Sequence, residues 1–400
     1  MSTQSLSVII PSYNRLEMLK RVLGALEAQE LPAGARFEVI VVDDCSNDAT
    51  ASYLAGYRAR GFDFAFRVAE RNAGPARARN EGVALATGEL VLFTGDDILP
   101  ERDFLAEHLE THRRMADPRL AVLGRTIWPD DIPVTTVMRH IDGVGAQQFS
   151  YQHLRHGAFV DYRHFYTSNI SLPLALLREE GKLFDLDFPH AAYEDVELSY
   201  RLCQRGMRIC YTRDALAYHY HTYTAYGFAE RQYRAGLMAC VLARKQPGTR
   251  RDVGIVDVEE QERAGRSGIG ATATSAWFEG VGGLEVAETA LLRLAAFYEM
   301  KPAPPLDDLY IALFKYFYEK GIADGLRDGE AREALRRRLL FADVAPVANW
   351  FRVEQARLGF AAPLDVIAWI AGRRFIKAGA PRRPLWRRAA SRIKRAVVTT

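Results

Sequence analysis

Nowhere in this 400-residue chain is there a run of the ~18 apolar residues that a membrane-spanning helix needs, and the first apolar run, from Leu6, stops at Pro11. Neither a transmembrane anchor nor a cleaved leader is expected, so the expected compartment is the cytoplasm. Cysteine is scarce. Cys45, Cys203, Cys210 and Cys240 show no Cys-x-x-Cys spacing and no framework of a small secreted domain, so they read as reduced thiols. No internal repeat and no low-complexity tract is visible. Carboxylates are missing from the last 35 residues, which hold ten Lys or Arg, so a chain of net charge +3 carries −7 before them. What is present, 48% hydrophobic and 26% charged residues, can bury a sizeable core and divide into two units.

The N-terminal part follows a strand–helix grammar. Residues 6–10 and 37–42 are short apolar, β-branched runs, and each ends in small or polar residues, Pro11-Ser-Tyr13-Asn-Arg15 and Asp43-Asp44-Cys-Ser. Between them residues 18–29 place Met18, Leu19, Val22, Leu23 and Leu26 at helical spacing. This is a βαβ unit. Its parallel strands deliver their carboxyl ends to one sheet edge, so the loops after Ile10, Val42 and Phe93 should line one crevice, the usual place for a nucleotide.

Three further segments carry chemistry. Asp96 and Asp97 follow the apolar run 90–93, and paired carboxylates in a strand-end turn suit a hard divalent cation that bridges phosphates. Arg77 and Arg79, in Asn72-Ala-Gly-Pro-Ala-Arg-Ala-Arg-Asn80, offer forks that match phosphate oxygens or a base edge, although a capped surface helix would read the same. His219 and His221, two apart on a presumed strand, would share one face as metal ligands or as structural histidines.

In their order and spacing, Val-Ile-Ile-Pro11-Ser-Tyr13-Asn-Arg15, Val-Val-Asp43-Asp44-Cys-Ser, Arg-Asn72-Ala-Gly-Pro-Ala-Arg-Ala-Arg79-Asn and the Asp96-Asp97 turn resemble the family 2 glycosyltransferases of GT-A fold, over about residues 5–240. The resemblance implies an α/β sheet flanked by helices, followed here by an α-helical C-terminal region. It also implies an inverting, metal-dependent transfer from a nucleoside-diphosphate sugar, a UDP-sugar first, to a hydroxyl acceptor. Under it Pro11, Tyr13, Arg15, Asp43, Asp44, Asn72, Arg79, Asp96 and Asp97 bind the donor. Asp96 and His221 ligate Mn²⁺ or Mg²⁺, with His219 as the rival ligand, because Arg231 and Gly236 resemble the Arg-x-x-x-x-Gly segment that follows the family's metal histidine. The Glu194-Asp195 pair resembles the Glu-Asp signature in which the aspartate is the general base. One departure stands out: Thr94 replaces the first aspartate of the family's Asp-x-Asp triplet, which weakens or relocates a ribose contact.

The expected organisation is a catalytic domain over 1–245, with a nucleotide-binding half 1–100 and an acceptor half 101–245. A Gly-rich linker or mobile loop follows over 246–283, then a helical region over 284–378 and a basic amphipathic tail over 379–400. Gly268-Ile-Gly270 mimics a dinucleotide fingerprint but follows no strand, and is rejected. Leu306, Leu309, Tyr310, Leu313, Phe314, Phe317 and Tyr318 form a helical stripe in need of a partner surface. In the tail Trp386 and Ile393 sit among arginines, the pattern of a peripheral anchor on the inner, anionic face of a membrane. No nucleic-acid motif accompanies that charge. The acceptor class expected is a bacterial surface polysaccharide or lipid-linked glycan. The rival reading is a sugar-nucleotide-binding protein without transfer activity.

Overall fold

Runs of Val, Ile and Leu become strands where both sheet faces are covered, because β-branched side chains pack well on a pleat buried from either side. In the computed structural model, which describes residues 4–145, 147–188, 190–264, 292, 295 and 307–327, the first such runs are β1 (Ser5–Ser12) and β2 (Arg36–Asp43). Helix α1 (Leu16–Glu27) joins them and buries Leu19, Val22, Leu23 and Leu26, as the periodicity requires. Helix α2 (Thr50–Gly56) leads to β3 (Asp63–Val68), and α3 (Pro75–Leu85) leads to β4 (Leu90–Thr94). Pro75 opens α3 behind Gly74, whose φ of +85° is a conformation that glycine adopts without strain.

The remaining strands are β5 (Ile98–Pro100), β6 (Leu120–Ile127), β7 (Phe159–Val160), β8 (Asn169–Pro173) and β9 (Arg208–His219). Helices α4 (Phe104–Met115), α5 (Thr136–Val144), α6 (Leu174–Glu180) and α7 (Glu194–Gln204) lie between them. Among the described residues, nine strands form one sheet in the order β3-β2-β1-β4-β8-β6-β9-β5, with β7 paired to β9. Strands β3, β2, β1 and β4 run parallel, β8 runs antiparallel to both β4 and β6, and β9 runs parallel to β6. This is the α/β sheet flanked by helices that the GT-A resemblance implied. Two buried apolar clusters cover its faces, one around Ile9, Phe93 and Phe184 and the other around Val8, Leu92 and Phe104.

One expectation at a strand end needs correction. Strand β9 ends at His219, so His221 lies beyond the strand on which both histidines were expected.

The chain divides into two compact units. The sheet belongs to the first, which comprises Met1–Val134, Ile141–Thr222 and Val241–Pro247. The second comprises Thr135–His140, Tyr223–Cys240 and the chain from Gly248 onward. In the second unit the apolar stripe forms α10 (Asp307–Leu326), preceded in sequence by α8 (Ala225–Lys245) and α9 (Ile255–Ala264). Helix α9 lies within the stretch read from sequence as a linker, with Ile255 and Val258 fully buried. Tyr310, Leu313, Phe314 and Phe317 are buried, and the Phe314 ring meets Phe228 at 4.7 Å. Helices α8 and α10 cross backbone to backbone: a Cβ on Gly236 would lie 2.0 Å from the Tyr318 carbonyl, and one on Gly321 would lie 2.1 Å from that of Tyr233. Gly236 is thus a helix-crossing residue. Leu306, residues 328–378 of the region expected to be helical, Gly268, Gly270 and the tail 379–400 lie outside the described residues.

Candidate active site

The crevice at the carboxyl edge forms because the β1 and β2 register sets Ser12 beside Asp43. The Asp44 amide then donates to the Ser12 carbonyl at 2.8 Å. Asp96, carried past the end of β4, accepts from the Ser12 hydroxyl at 2.9 Å and the Tyr13 amide at 3.3 Å. Pro11 pairs in register with Val42, while Tyr13 is largely exposed at the rim. Asp43 is fully buried; its Oδ1 accepts from the Ser46 amide at 3.1 Å and its Oδ2 has no hydrogen-bond partner. The Asp44 oxygens accept from the amides of Ala73 and Gly74 at 2.9 and 2.8 Å, which fixes the loop that exposes Asn72. Thr94, in place of the triplet's first aspartate, donates its hydroxyl to the Ser168 carbonyl at 3.1 Å.

Beside this floor stands a cluster of cation-binding groups. Among the described residues, Asp97, His219 and His221 bring ligand atoms within 4.8 Å of one another. His219 Nε2 is 3.5 Å and His221 Nδ1 3.9 Å from Asp97 Oδ2, and the two imidazoles stack at 5.4 Å. The pairing of β5 with β9 builds this arrangement: Ile98 opposes His219, and the Tyr220 amide donates to the Asp97 carbonyl at 2.8 Å. So Asp97 joins both histidines, whereas Asp96 faces Ser12 and Tyr13. Arg15 links the two carboxylates, donating to Asp97 and lying 3.6 Å from Asp96 Oδ1 and 3.4 Å from His221 Nδ1.

The two aspartates titrate in opposite directions. Burial, then the neighbouring Asp97 charge, pushes Asp96 up to about 6. Burial acts upward on Asp97 too, but the hydrogen bond and charge of His219 and then Arg15 overcome it and hold the carboxyl well below its usual range. Asp97 is therefore the more acidic carboxyl of the pair.

On the other flank Glu194 and Asp195 open α7, where unpaired amides favour carboxylates. Asp195 is half-buried and accepts from the Val196 amide at 2.8 Å. Its charge adds to burial in raising the Tyr166 hydroxyl. Arg79 Nη1 donates to the buried Glu194 at 3.0 Å. An aromatic path joins the flanks: Trp128 stacks on His219 at 5.3 Å, Phe149 meets His219 at 6.1 Å, and Phe149 meets Tyr166 at 5.4 Å. Trp128 and Phe149 line a cavity with Ile141 and Asp142 that sequence reading did not suggest, since nothing local marks them.

Residues 7–165 match the family described as Glycosyl transferase family 2. This segment is a member of glycosyl transferase family 2. The chain is 32% identical over 239 residues to validoxylamine A glucosyltransferase of Streptomyces hygroscopicus subsp. jinggangensis, covering 52% of this chain and 54% of that protein. It is 29% identical over 228 residues to the amylovoran biosynthesis glycosyltransferase AmsB of Erwinia amylovora, covering 56% of this chain and 71% of the relative. The chain thus spans about half the length of the validoxylamine A relatives. Among solved structures it is similar to S. aureus TarS 1–349 in complex with UDP-GlcNAc, at 19% identity and a TM-score of 0.46, over 89% of this chain and 92% of that one. Among the described residues, no helix is long and apolar enough to cross a membrane.

Proposed function

We propose that the family 2 chain is an inverting glycosyltransferase that moves a sugar from a nucleoside-diphosphate donor, a UDP-sugar first, to a hydroxyl of a glycan or lipid-linked acceptor in surface-polysaccharide assembly. The observation that carries this reading is the convergence of Asp97, His219 and His221 beside the buried Asp43, Asp44 and Asp96, which lie at the carboxyl ends of the parallel strands of a mixed sheet. The relatives named as a glucosyltransferase and an amylovoran biosynthesis glycosyltransferase support the reaction class.

One carboxylate oxygen and two imidazole nitrogens form a mixed donor set that suits Mn²⁺, or Mg²⁺ with more water in its shell. A divalent ion held there supplies charge neutralisation for the diphosphate leaving group. Asp97 brings the negative charge to that site, and the two imidazoles, in their neutral form, complete it. The partnerless Asp43 Oδ2 accepts from the nucleoside. Asp195 takes the proton of the acceptor hydroxyl as that oxygen attacks the anomeric carbon, and one displacement inverts the centre. Such a base contributes roughly 10²–10⁴-fold. The basic tail adds a peripheral attachment to anionic bilayers.

A thermal-shift screen of UDP- and GDP-sugars with and without Mn²⁺, followed by a release assay for the nucleoside diphosphate, tests the function. A metal-dependent shift with one donor and release on addition of a glycan acceptor is expected. Stabilisation with no release from any donor and acceptor pair would leave a binding protein.

A further inference from the structure

Arg79 and Asn80 belong to the segment whose forks were expected to meet the donor, and in the fold Arg79 reaches Glu194 at the start of α7 while Asn80 reaches Phe184 upstream of it. Asn80 Nδ2 donates to the Phe184 carbonyl at 2.9 Å, and the Phe184 amide donates back to Asn80 Oδ1 at 2.9 Å. This reciprocal pair grips the backbone of the segment that leads into α7. Its neighbour Arg79 stretches across the Phe184 ring, 5.4 Å from the centroid, to reach Glu194 at 3.0 Å. The ion pair is sheltered, with side-chain exposures of 12% and 6%. Arg79 Nε and Glu194 Oε2 are both buried without a hydrogen-bond partner, so losing one residue would strand the other's charge.

The helix that carries this grip is itself held at two points. Asp44 fixes the amides of Ala73 and Gly74 just before α3. Farther along, a Cβ on Gly82 would lie 2.5 Å from Ile9 Cγ2, so α3 seats directly on β1. At the receiving end Tyr193 holds a φ of +67°, left-handed backbone that a tyrosine keeps only when its surroundings impose it, and Glu194 and Asp195 follow at once.

We propose that Arg79 and Asn80 are positioning residues that clamp α3 to the base-bearing end of α7, so that the loop held by Asp44 sets the placement of Asp195, and that neither contacts the nucleotide. The proposal rests on the transfer reading for the role of Asp195; the clamp itself does not. A reason for such a clamp lies in the chemistry: a general base misplaced by about 1 Å can lose about 10²-fold in rate.

The test uses the full chain with UDP and Mn²⁺ as the binding probe and Arg79→Met, Arg79→Lys, Asn80→Ala and Glu194→Gln as variants. Hydrogen exchange of the amides in 184–197 should quicken in Arg79→Met and Asn80→Ala, while 12–15 and 94–97 keep their protection. UDP affinity should stay within about twofold, kcat should fall by about tenfold or more, and the apparent pKa of the base in the pH–rate profile should move. Arg79→Lys should recover part of the protection, and Arg79→Met combined with Glu194→Gln should cost less than the two singles together. Loss of UDP affinity by tenfold with exchange in 184–197 unchanged would make Arg79 a nucleotide ligand and overturn the clamp. Should Arg79→Met fail to fold, Asn80→Ala and Arg79→Lys decide by the same exchange and affinity readings. A parent protein that turns over no donor defeats the transfer reading alone, since exchange and UDP binding still decide the clamp.

Discussion

Behind the site, two histidines of α4 should make the fold sensitive to mild acid. His108 is fully buried, with Nδ1 2.8 Å from the Ser171 hydroxyl and Nε2 2.8 Å from Asn169 Oδ1, and His112 Nε2 is 2.9 Å from the same hydroxyl. Asn169 in turn donates to the carbonyls of Arg125 and Ala215 at 3.0 and 2.9 Å, across the register shift between β6 and β9. The network therefore supports the strand that ends at His219. Burial pushes His108 down to about 4 against an ordinary 6.5, with the Asn169 bond opposing it, and pushes His112 down to about 3, with the His108 charge assisting. Both folded-state values lie below the unfolded one, so below pH 6.5 the unfolded chain binds more protons. Stability is complete above about pH 6.5 and is lost as the pH falls toward 4. At 1.36 kcal/mol per unit, His108 alone accounts for about 3 kcal/mol, a large share of the roughly 5–15 kcal/mol of a typical domain. Urea unfolding followed by circular dichroism at pH 7.5, 6.5, 5.5 and 4.5 measures this. His108→Gln should flatten the profile by about 1.4 kcal/mol per pH unit in that window. Asp96, raised to about 6, titrates inside the window with the opposite sign and offsets part of the parent's loss, but it is common to parent and His108→Gln and leaves their difference intact; Asp97, Asp161 and Asp185, held below their ordinary 3.8, lose their stabilisation only as the pH falls below about 4, outside the window. A His108→Gln profile as steep as the parent's between pH 6.5 and 4.5 would refute the reasoning.

Four further outcomes are expected. Asp97→Asn, His219→Ala and His221→Ala should each weaken Mn²⁺ binding at least about tenfold in calorimetry, and unchanged affinity in all three would move the cation elsewhere. Asp195→Asn should bind UDP like the parent yet lose turnover by about 10² or more, and near-parental turnover would remove it as the base. Gly236→Ala should destabilise the second unit by about 1–3 kcal/mol through overpacking against the Tyr318 carbonyl, measured as a lower denaturation midpoint; an unchanged midpoint would contradict the close helix crossing. Removing 380–400 should release the protein from anionic liposomes at low salt, and equal co-sedimentation would leave the tail without an anchoring role.

The sequence by itself determined the elements whose cause is local. Short, mostly apolar runs specify β1, β2 and β4 because their apolar side chains are covered on both faces, and the spacing of Leu19, Val22, Leu23 and Leu26 specifies the buried face of α1. It also marked the acidic start of α7 and gathered Asp43, Asp44 and Asp96 at one edge, since parallel strands end on the same side. Tertiary structure alone decided which carboxylate of the Asp96–Asp97 turn meets the histidines. Adjacent residues in a turn point in different directions, and the direction is set by the pairing of β5 with β9, a contact across more than a hundred residues. For the same reason His221 reaches its place beyond the end of β9. Arg79 reads like any exposed fork until α3 is seated on β1 and its side chain finds Glu194, 115 residues away. Gly236 carried no packing signal of its own, because the backbone that forbids a Cβ there belongs to another helix. Periodicity records which face of an element is buried, and register records what that face touches; the second is a property of the folded chain.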